Sequence, residues 1–461
     1  MVVTARSFSL PSTIRLESHP TARNRATAAI ALGPASLVAS IPPLSTCLLP
    51  LGKGRRCDGC HQLSTPDLKL KKCSGCTSYW YCGTACAAKR WKAHHRRMCK
   101  FFNRYVASPE YQSLSQHEQV DAILLSQLLA EMFPDNDYVL ASESDSSFST
   151  FIDLLKSSDV DIRLPPLCRA SSRASAASEA IAIDLYSRFG NNNFVLHSHL
   201  TPYAHGIFPL ASRLFNHSCV PNAVARYIIT PSESVCMEIV TLRPVAAGEE
   251  ITIPYLDPAL SFHTRQQALR MNYGFTCSCP LCSFTRHISP TPPPSRGSVQ
   301  LEALETMLRT CVFGIQDRTS DLPHNDCQFS HMPAELYSLL HESYLPDISE
   351  IFSRSSHEGQ YKDALEVGLT LLALYVLLYP CNYPQIGMHA LEMSKTAWNA
   401  AVAMKSPTED EARLISEMEQ AARSYLRAAS QTLSVLGSEG DAGGPLEEIR
   451  ILSGLLNGDS A

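Results

Sequence analysis

One short segment concentrates the metal-ligating side chains of this chain of 461 residues. It contains seven cysteines, with two adjacent histidines just before the last of them: Cys57, Cys60, Cys73, Cys76, Cys82, Cys86, Cys99, His94 and His95. Seven thiols and one imidazole make eight ligands, which is the number that two tetrahedral zinc ions require. The segment is therefore predicted to fold around metal.

The spacing of these ligands is specific. Cys57–Cys60 and Cys73–Cys76 are Cys-x2-Cys knuckles, in which a tight turn aims two thiolates at one ion. Cys82–Cys86 and His95–Cys99 are each four residues apart, which places both ligands on one face of a helix. That geometry favours His95 over His94 as the imidazole ligand, and His94 stays open as the alternative.

The metal-ligating segment is also basic, although the whole chain has a formal net charge of −5. No Asp or Glu occurs from Leu68 to Pro109, where the cations are Lys69, Lys71, Lys72, Lys89, Arg90, Lys92, Arg96, Arg97, Lys100 and Arg104. A cationic face can bind nucleic acid or an acidic protein partner. It can equally be a solvated surface that offsets the charge of the thiolates, and both interpretations stay open.

Apolar spacing divides the rest of the chain into a β-rich part and a helical part. Strands are predicted at Ala35–Ile41, Val224–Ile229, Val235–Leu242 and Glu250–Ile253. Helices are predicted within Gln112–Phe133, Tyr361–Tyr375, Ile386–Ala403 and Glu411–Leu436. Gly368 is expected where a neighbouring helix approaches, and Gly437 is expected to end the last of these helices. The paired helices resemble tetratricopeptide-type repeats.

A second group of motifs follows in a characteristic order. Its members are Arg213-Leu-Phe-Asn216-His217-Ser218-Cys219-Val-Pro221-Asn222, then Gly248-Glu249-Glu250-Ile-Thr-Ile-Pro-Tyr255, then Tyr273-Gly-Phe275-Thr-Cys277-Ser-Cys279-Pro-Leu-Cys282. An Asn-His pair alone is a weak signal. The pair followed by a lone tyrosine at a strand end and then by a Cys-x-Cys-x2-Cys triplet is far rarer.

This order resembles a SET domain, and the cysteine-rich segment resembles a MYND finger. Together they resemble the SET-and-MYND-domain family of protein lysine methyltransferases. The resemblance implies an α+β fold, in which a split SET β-fold contains an inserted MYND zinc finger and is followed by an all-helical tetratricopeptide-like domain. The implied divisions are residues 14–51 for the N-terminal part of the SET domain, 57–99 for the MYND finger, 100–200 for a helical insert region, 201–258 for the SET core, 259–285 for a post-SET zinc segment, 286–299 for a linker and 300–461 for the helical domain.

The resemblance also implies roles for individual residues. Tyr255 would be the catalytic tyrosine, whose hydroxyl orients the lysine amine. S-adenosylmethionine would be bound by Arg23, Asn24, Arg25, Asn192, Asn216, His217 and Phe275, where Phe275 either stacks near the adenine or walls the lysine channel beside Tyr273. No metal takes part in the methyl transfer itself.

Three structural zinc ions are implied by the same resemblance. One would be held by Cys57, Cys60, Cys82 and Cys86, the second by Cys73, Cys76, His95 and Cys99, and the third by Cys219, Cys277, Cys279 and Cys282. A structural zinc needs four ligands, and the triplet supplies three. Cys219 is the fourth on the resemblance, with His287 as the alternative.

Two positions depart from the family pattern. The family has a Gly-x-Gly-like turn where the backbone passes the cofactor, whereas this chain has Ala22-Arg23-Asn24-Arg25-Ala26. Without glycine the turn loses conformational freedom, which puts cofactor affinity in question. Pro254 removes a backbone donor and restricts Ile253 to extended conformations, so the presentation of Tyr255 is also in question.

The most favoured function is an S-adenosylmethionine-dependent protein-lysine N-methyltransferase acting on a histone or a non-histone protein. The alternative is a catalytically weak scaffold whose MYND finger and helical domain bind partner peptides; a nucleic-acid-binding regulator is weaker, because no helix carries evident base-reading side chains. No run of 18 apolar residues occurs, so no membrane span is expected. The absence of a signal peptide and the dense thiols favour the cytoplasm or the nucleus, and a monomer is expected.

Overall fold

The computed structural model describes residues 10–19, 22–132, 146–156, 163–168, 176–314, 322, 328–404 and 409–458. Its strands are β1 Ile14–Glu17, β2 Arg25–Ala28, β3 Leu37–Ile41, β4 Ser45–Leu48, β5 Lys71–Lys72, β6 Trp80–Tyr81, β7 Asn193–Ser198, β8 Thr201–Ile207, β9 Asn216–His217, β10 Ala223–Ile228, β11 Cys236–Thr241 and β12 Thr252–Ile253. Its helices are α1 Thr84–Arg90, α2 Arg96–Val106, α3 Pro109–Gln112, α4 Gln116–Met132, α5 Ser146–Ile152, α6 Ala176–Tyr186, α7 Phe189–Asn192, α8 Pro209–Leu214, α9 Phe262–Tyr273, α10 Pro280–Thr285, α11 Val299–Phe313, α12 Tyr344–His357, α13 Tyr361–Leu378, α14 Pro384–Ala403, α15 Glu409–Leu436 and α16 Pro445–Asn457.

Strands from before and after the cysteine-rich segment form common sheets. Strand β3 pairs antiparallel with β11, with Ile41 opposite Met237, and β4 pairs antiparallel with β8, with Ser45 opposite Ile207. Apolar side chains of both parts fill one core, in which Val38 and Tyr227 are both buried. The predicted split β-fold with an inserted finger and a helical C-terminal part is therefore confirmed, whereas the individual domain boundaries stay predictions.

Strand β9 lies parallel to β12, with Asn216 opposite Thr252 and His217 opposite Ile253. The two strands are separated in sequence by the β10–β11 hairpin. The segment that begins at Asn216 is thus held against the segment that ends just before Tyr255. This pairing brings the two motifs of the second group into one place.

The cysteine-rich segment packs on helix α4. Tyr79 and Met98 of that segment are fully buried together with Leu124 and Leu125 of α4. The helix predicted within Gln112–Phe133 is confirmed as α4, and a break separates it from α3, which ends at Gln112. The break follows from a capping box: the backbone N–H of Ser115 donates to Glu118 Oε2 at 2.8 Å, and Ser115 Oγ accepts from the Glu118 N–H at 3.4 Å.

The C-terminal part from α11 to α16 is helical and has its own apolar core. A Cβ atom on Gly368 would lie 2.8 Å from the Phe352 ring, so the predicted close approach of a neighbouring helix is confirmed. Gly437 ends α15 with a φ of 71°, also as predicted. Pro384 lies in the first turn of α14, where the backbone N–H that proline lacks would have no partner within the helix. The tetratricopeptide likeness stays a prediction.

The loop between α15 and α16 contacts both other parts of the molecule. The guanidinium of Arg56, in the finger, donates to both carboxylate oxygens of Asp441, and it lies 4.2 Å from the ring centroid of Tyr203. The N–H of Gly440 donates to the Tyr227 carbonyl at 2.8 Å. In the part of the chain that the structure describes, no helix is both long and apolar enough to cross a bilayer.

Candidate functional site

An aromatic cage surrounds the side chain of Tyr255, which follows directly after β12 and Pro254. The ring centroid of Tyr273 lies 4.8 Å from that of Tyr255, and those of His217 and Phe275 lie at 5.3 and 6.5 Å. The Gly274 turn, with a φ of 73°, ends α9 between Tyr273 and Phe275 and lets both rings face the same space. Phe275 therefore lies beside Tyr255 as a wall of the cage.

The hydroxyl group of Tyr255 is fixed by the backbone. It donates to the Phe215 carbonyl at 2.6 Å, and Phe215 immediately precedes β9. Burial, together with the nearby Tyr273 and Glu250, raises the pKa of the Tyr255 phenol above its ordinary value. The phenol therefore keeps its proton at neutral pH and acts as a hydrogen-bonding group rather than as a phenolate base.

His217 links Tyr255 to the third cysteine cluster. Its Nδ1 atom accepts from the Tyr255 backbone N–H at 3.0 Å, and its Nε2 atom lies 3.2 Å from the Cys219 sulfur. Burial lowers the pKa of His217 to about 4, so the ring is neutral at physiological pH. A neutral imidazole with its proton on Nε2 satisfies both contacts, because it accepts at one nitrogen and donates at the other.

A polar cluster lies next to the cage and is centred on Asn216. The Asn216 amide donates to the Asn24 carbonyl at 2.9 Å and to Glu250 Oε1 at 2.8 Å. Arg213 donates to Asn24 Oδ1. Burial and, to a smaller extent, the neighbouring Arg23 lower the pKa of the Arg213 guanidinium. The cluster thus offers acceptors and a cationic donor within one small region.

The turn at Ala22–Ala26 does not need glycine. None of these five residues has a positive φ, and Arg25 already begins β2. The backbone passes Asn216 in an extended conformation that any residue can adopt. The missing glycines therefore impose no conformational strain at this position.

Three other predicted cofactor residues have partners outside the Asn216 cluster. Arg23 forms an ion pair with Asp153 at 2.6 Å, and Arg25 forms one with Glu17 at 2.8 Å. Asn192 is buried at the end of α7 and donates to the Arg188 carbonyl at 2.7 Å. Their roles in cofactor binding stay predictions. Among the predicted cofactor residues, Asn24 and Asn216 form the hydrogen bonds of the polar cluster.

Sequence reasoning assigned no role to Arg213, Asn222 or Glu250. Buried Asn222 donates to the Glu250 carbonyl at 2.8 Å and accepts from the Thr252 N–H at 2.9 Å. It thereby fixes the strand that leads to Tyr255. All three residues lie inside the quoted motifs, so the motifs themselves pointed to them, but their partners depend on how the two segments cross.

The structure brings together the three predicted metal-ligand sets. In each set the four ligand atoms lie within 4.8 Å of one another: Cys57, Cys60, Cys82 and Cys86; Cys73, Cys76, His95 and Cys99; Cys219, Cys277, Cys279 and Cys282. Contacts between sulfurs of 3.5–3.6 Å occur in each half of the finger and in the third set. Two sulfurs on one tetrahedral zinc are roughly 3.8 Å apart, so these donor sets fit zinc.

His94 and His287, the two alternative histidine ligands, lie outside these sets, whereas His95 lies inside one. His95 Nε2 lies 3.3 Å from the Cys73 sulfur and 3.5 Å from that of Cys76. The adjacent His94 is buried, with Nδ1 3.9 Å from a Glu131 oxygen. His287 is exposed, and Cys219 completes the third set in its place.

The clustered sulfurs favour thiolate formation at particular positions. Hydrogen bonds from Cys57 and Cys86 lower the pKa of Cys60 to about 2. Contacts from Cys219, Cys277 and Cys282 likewise lower the pKa of Cys279. A thiolate is the form of cysteine that binds metal, so each of these two clusters already stabilises the first ligand charge.

Models of two protein families match the cysteine-rich segment and the region that carries the candidate site. A model of the SET domain matches residues 80–256, and a model of the MYND finger matches residues 52–99. The SET match begins within the finger, although β3 and β4, which pair with the SET strands, precede it.

Curated relatives agree with these two matches. "Histone-lysine N-methyltransferase ASHR1" of Arabidopsis thaliana is 30% identical over 237 residues, which is 50% of this chain and 46% of the relative. "N-lysine methyltransferase SMYD2" of Gallus gallus is 25% identical over 54% of each chain. "Histone-lysine N-methyltransferase SMYD3" of Mus musculus is 28% identical over 58% of this chain and 61% of the relative. The chain thus spans about half the length of the curated relatives it matches.

Proposed function

We propose that this chain, an SMYD-like combination of a SET domain with a MYND finger, is a protein-lysine N-methyltransferase that uses S-adenosylmethionine. The observation that carries the proposal is the position of Tyr255. Its phenol lies in a cage of aromatic rings, directly after the strand that pairs with Asn216 and His217. The names of the relatives support the same class of reaction.

The polar cluster around Asn216 suits the amino-acid end of S-adenosylmethionine, which carries an ammonium and a carboxylate group. The Asn24 carbonyl and Glu250 Oε1 are acceptors for an ammonium group, and both now accept from Asn216. Arg213 is the cationic partner for a carboxylate. Asn24, Arg213, Asn216 and Glu250 would therefore hold this end of the molecule.

S-adenosylmethionine supplies a methyl group on a sulfonium, which an amine displaces in line. The aromatic cage attracts the incoming lysine ammonium through its ring faces. Loss of water inside the cage then lowers the pKa of that amine from its ordinary value of about 10.4, which favours the neutral nucleophile. Alignment of the amine alone can lower the activation free energy by several kcal/mol.

Tyr255 orients the amine. Its proton is directed to the Phe215 carbonyl, so the lone pairs of the phenol oxygen can accept from a lysine N–H. Accepting that N–H turns the nitrogen lone pair toward the methyl group. The raised pKa of the phenol keeps this role available throughout the physiological pH range.

We assign structural zinc to the three cysteine-containing sets and no catalytic metal to the reaction. The third set joins β9 to the post-SET segment through Cys219, Cys277, Cys279 and Cys282. None of the described cysteines forms a disulfide, which agrees with our proposal that the chain works in the cytoplasm or nucleus. A protein with a target lysine is the proposed substrate; a peptide or nucleic-acid partner of the basic finger, and a monomeric state, stay predictions.

The decisive experiment measures two quantities for the zinc-loaded chain. Calorimetry measures binding of S-adenosylmethionine, and transfer of a labelled methyl group to lysate proteins measures catalysis. We expect the wild type to bind S-adenosylmethionine and to label lysate proteins. We expect the labelling to be lost when the lysine amines of the lysate proteins are chemically blocked. Absence of both binding and labelling would reject the enzyme and leave the peptide-binding scaffold.

A further inference from the structure

A fourth group of metal-ligating side chains lies away from the cysteine sets, where helix α4 meets strand β8. It consists of His117 and Asp121, one turn apart on α4, and His205 on β8. Their ligand atoms lie within 4.8 Å of one another, the same limit that the three cysteine sets satisfy. Two imidazoles and one carboxylate form a donor set that suits zinc with one open position.

The spacing inside this triad fits joint coordination better than a hydrogen bond. His117 Nε2 and Asp121 Oδ2 are 3.4 Å apart. Two ligands on one tetrahedral zinc, each about 2.1 Å from the ion, are separated by roughly 3.4 Å. An N–H···O hydrogen bond would bring the same atoms to roughly 2.7–3.2 Å.

Asn193 supports the triad from behind. Its Nδ2 atom donates to Asp121 Oδ1 at 2.6 Å and lies 3.3 Å from His205 Nδ1. The first contact holds one carboxylate oxygen and leaves Oδ2 facing His117. A metal-ligating carboxylate usually has such a hydrogen-bond donor that orients it. The Asn193 Oδ1 atom is buried and lacks a hydrogen-bond partner among the described residues.

The charge of the triad also calls for a cation. The Asp121 side chain is 6% exposed. Within the described residues, it forms an ion pair with His117. His205 is buried as well, whereas the His117 side chain is 63% exposed. A buried carboxylate without a lysine or arginine partner is costly unless another cation compensates it. The exposed imidazole leaves a route for an ion from solvent.

We propose that His117, Asp121 and His205 bind a divalent transition-metal ion, zinc in preference, at the junction of α4 and β8. The ion holds the helix that supports the finger against the three-stranded sheet formed by β4, β8 and β7. Its donors are nitrogen and oxygen rather than sulfur, so it is bound more weakly than the cysteine-held ions and exchanges with metal in solution. The proposal does not depend on methyl transfer.

The test is metal content after equilibrium dialysis of the full chain against micromolar zinc, measured by mass spectrometry of the metal. The wild type is expected to hold one more zinc per chain than His117→Ala, with the cysteine-held ions common to both. His357→Ala, which removes an exposed histidine from helix α12, is the matched control and should equal the wild type.

Thermal unfolding provides a second readout that does not depend on counting ions. Added zinc should raise the unfolding midpoint of the wild type and of His357→Ala by more than that of His117→Ala, because the cysteine sets gain binding energy in all three proteins and the triad adds to it only where His117 is present. Equal zinc content and equal midpoint shifts in all three proteins would overturn the proposal and leave His117 and Asp121 as an ion pair without a metal.

Discussion

The backbone N–H of Tyr255 donates a hydrogen bond of 3.0 Å to Nδ1 of His217. The other nitrogen of the same ring lies 3.2 Å from the sulfur of Cys219, which belongs to the third cysteine set. The proposed catalytic tyrosine and a proposed zinc ligand are therefore connected through one side chain. Loss of metal at this set is expected to move Tyr255, although the metal takes no part in the chemistry.

Removal of one ligand from the third set tests this connection. Cys279→Ser should lower the zinc content by one ion per chain and reduce methyl transfer at least about 10-fold, because the ion fixes Cys219 and thereby His217, which holds the backbone of Tyr255. Cys311→Ser changes an exposed cysteine of the helical part and is the control. Full activity of Cys279→Ser after loss of its zinc would separate the metal from Tyr255.

The hydroxyl of Tyr255 is expected to matter for the rate but not for the fold. Tyr255→Phe removes only the oxygen that donates to the Phe215 carbonyl. Methyl transfer should fall on the order of 100-fold, the usual cost of one hydrogen-bonding group that acts on the reacting atoms. Calorimetric binding of S-adenosylmethionine should change little. Tyr361→Phe in helix α13 is the control, and equal rates for both variants would remove Tyr255 from the mechanism.

Asn216 and Asn222 lie in the same motif, but substituting them is expected to change different properties, cofactor binding for Asn216 and stability for Asn222. Asn216→Ala removes contacts in the proposed cofactor cluster and should weaken S-adenosylmethionine binding about 10-fold or more, as loss of one or two hydrogen bonds predicts. Asn222→Ala leaves the part-buried Thr252 N–H without its acceptor and should lower the free energy of unfolding by about 1–3 kcal/mol. Calorimetry and urea unfolding distinguish the two outcomes, and a reversed pattern would contradict this assignment.

Glu439 is expected to make stability fall with rising pH. Burial raises the pKa of its carboxyl to about 7, while the His199 N–H and Arg226 act in the opposite direction. The folded chain therefore keeps a proton that the unfolded chain releases near its ordinary pKa of 4.5. This contribution is complete below about pH 4.5 and is lost as the pH rises through about 7. Its upper limit is about 3 kcal/mol.

Glu439→Gln tests this effect by removing the charge. At pH 8 the variant should unfold a few degrees above the wild type, and the difference should shrink toward pH 5. His197 faces Glu439 and has a pKa lowered to about 4 by burial, so its own effect appears only on acidification. Glu447→Gln, at an exposed position, should behave as the wild type at both pH values. An unchanged midpoint at pH 8 for Glu439→Gln would show that the carboxylate is compensated.

The ligand pairs of the finger could be predicted from the sequence because local geometry determines them, and the resemblance to a MYND finger indicated which pairs share an ion. Cys-x2-Cys turns and pairs four residues apart on a helix bring two ligands together without distant contacts, and eight ligands then divide into two sets of four. The order of the Asn216, Tyr255 and Cys277 motifs likewise indicated the fold class. Helices α13, α14 and α15 followed apolar periodicity to within a few residues.

Other features depend on contacts between distant segments and left no local signal. Glycine was expected to matter at residues 22–26, yet none of them has a positive φ, and the pairing with β1 sets the conformation from Arg25 onward. The effect of the missing glycines on cofactor affinity stays a prediction. The roles of Arg213 and Glu250 arise only where Asn24 and Asn216 meet across almost 200 residues of chain, and a single sequence does not encode that crossing in any local pattern.

The sequence by itself determined which chemical groups this protein has and how neighbours in the chain pair, because turn and helix geometry act over a few residues. It therefore determined the cysteine pairs of the finger, the aromatic residues at the end of α9 and the tyrosine at the strand end. Only the tertiary structure decided what those groups face. The parallel pairing of β9 with β12 placed His217 between Tyr255 and Cys219, and the packing of α4 on β8 placed His117 and Asp121 beside His205.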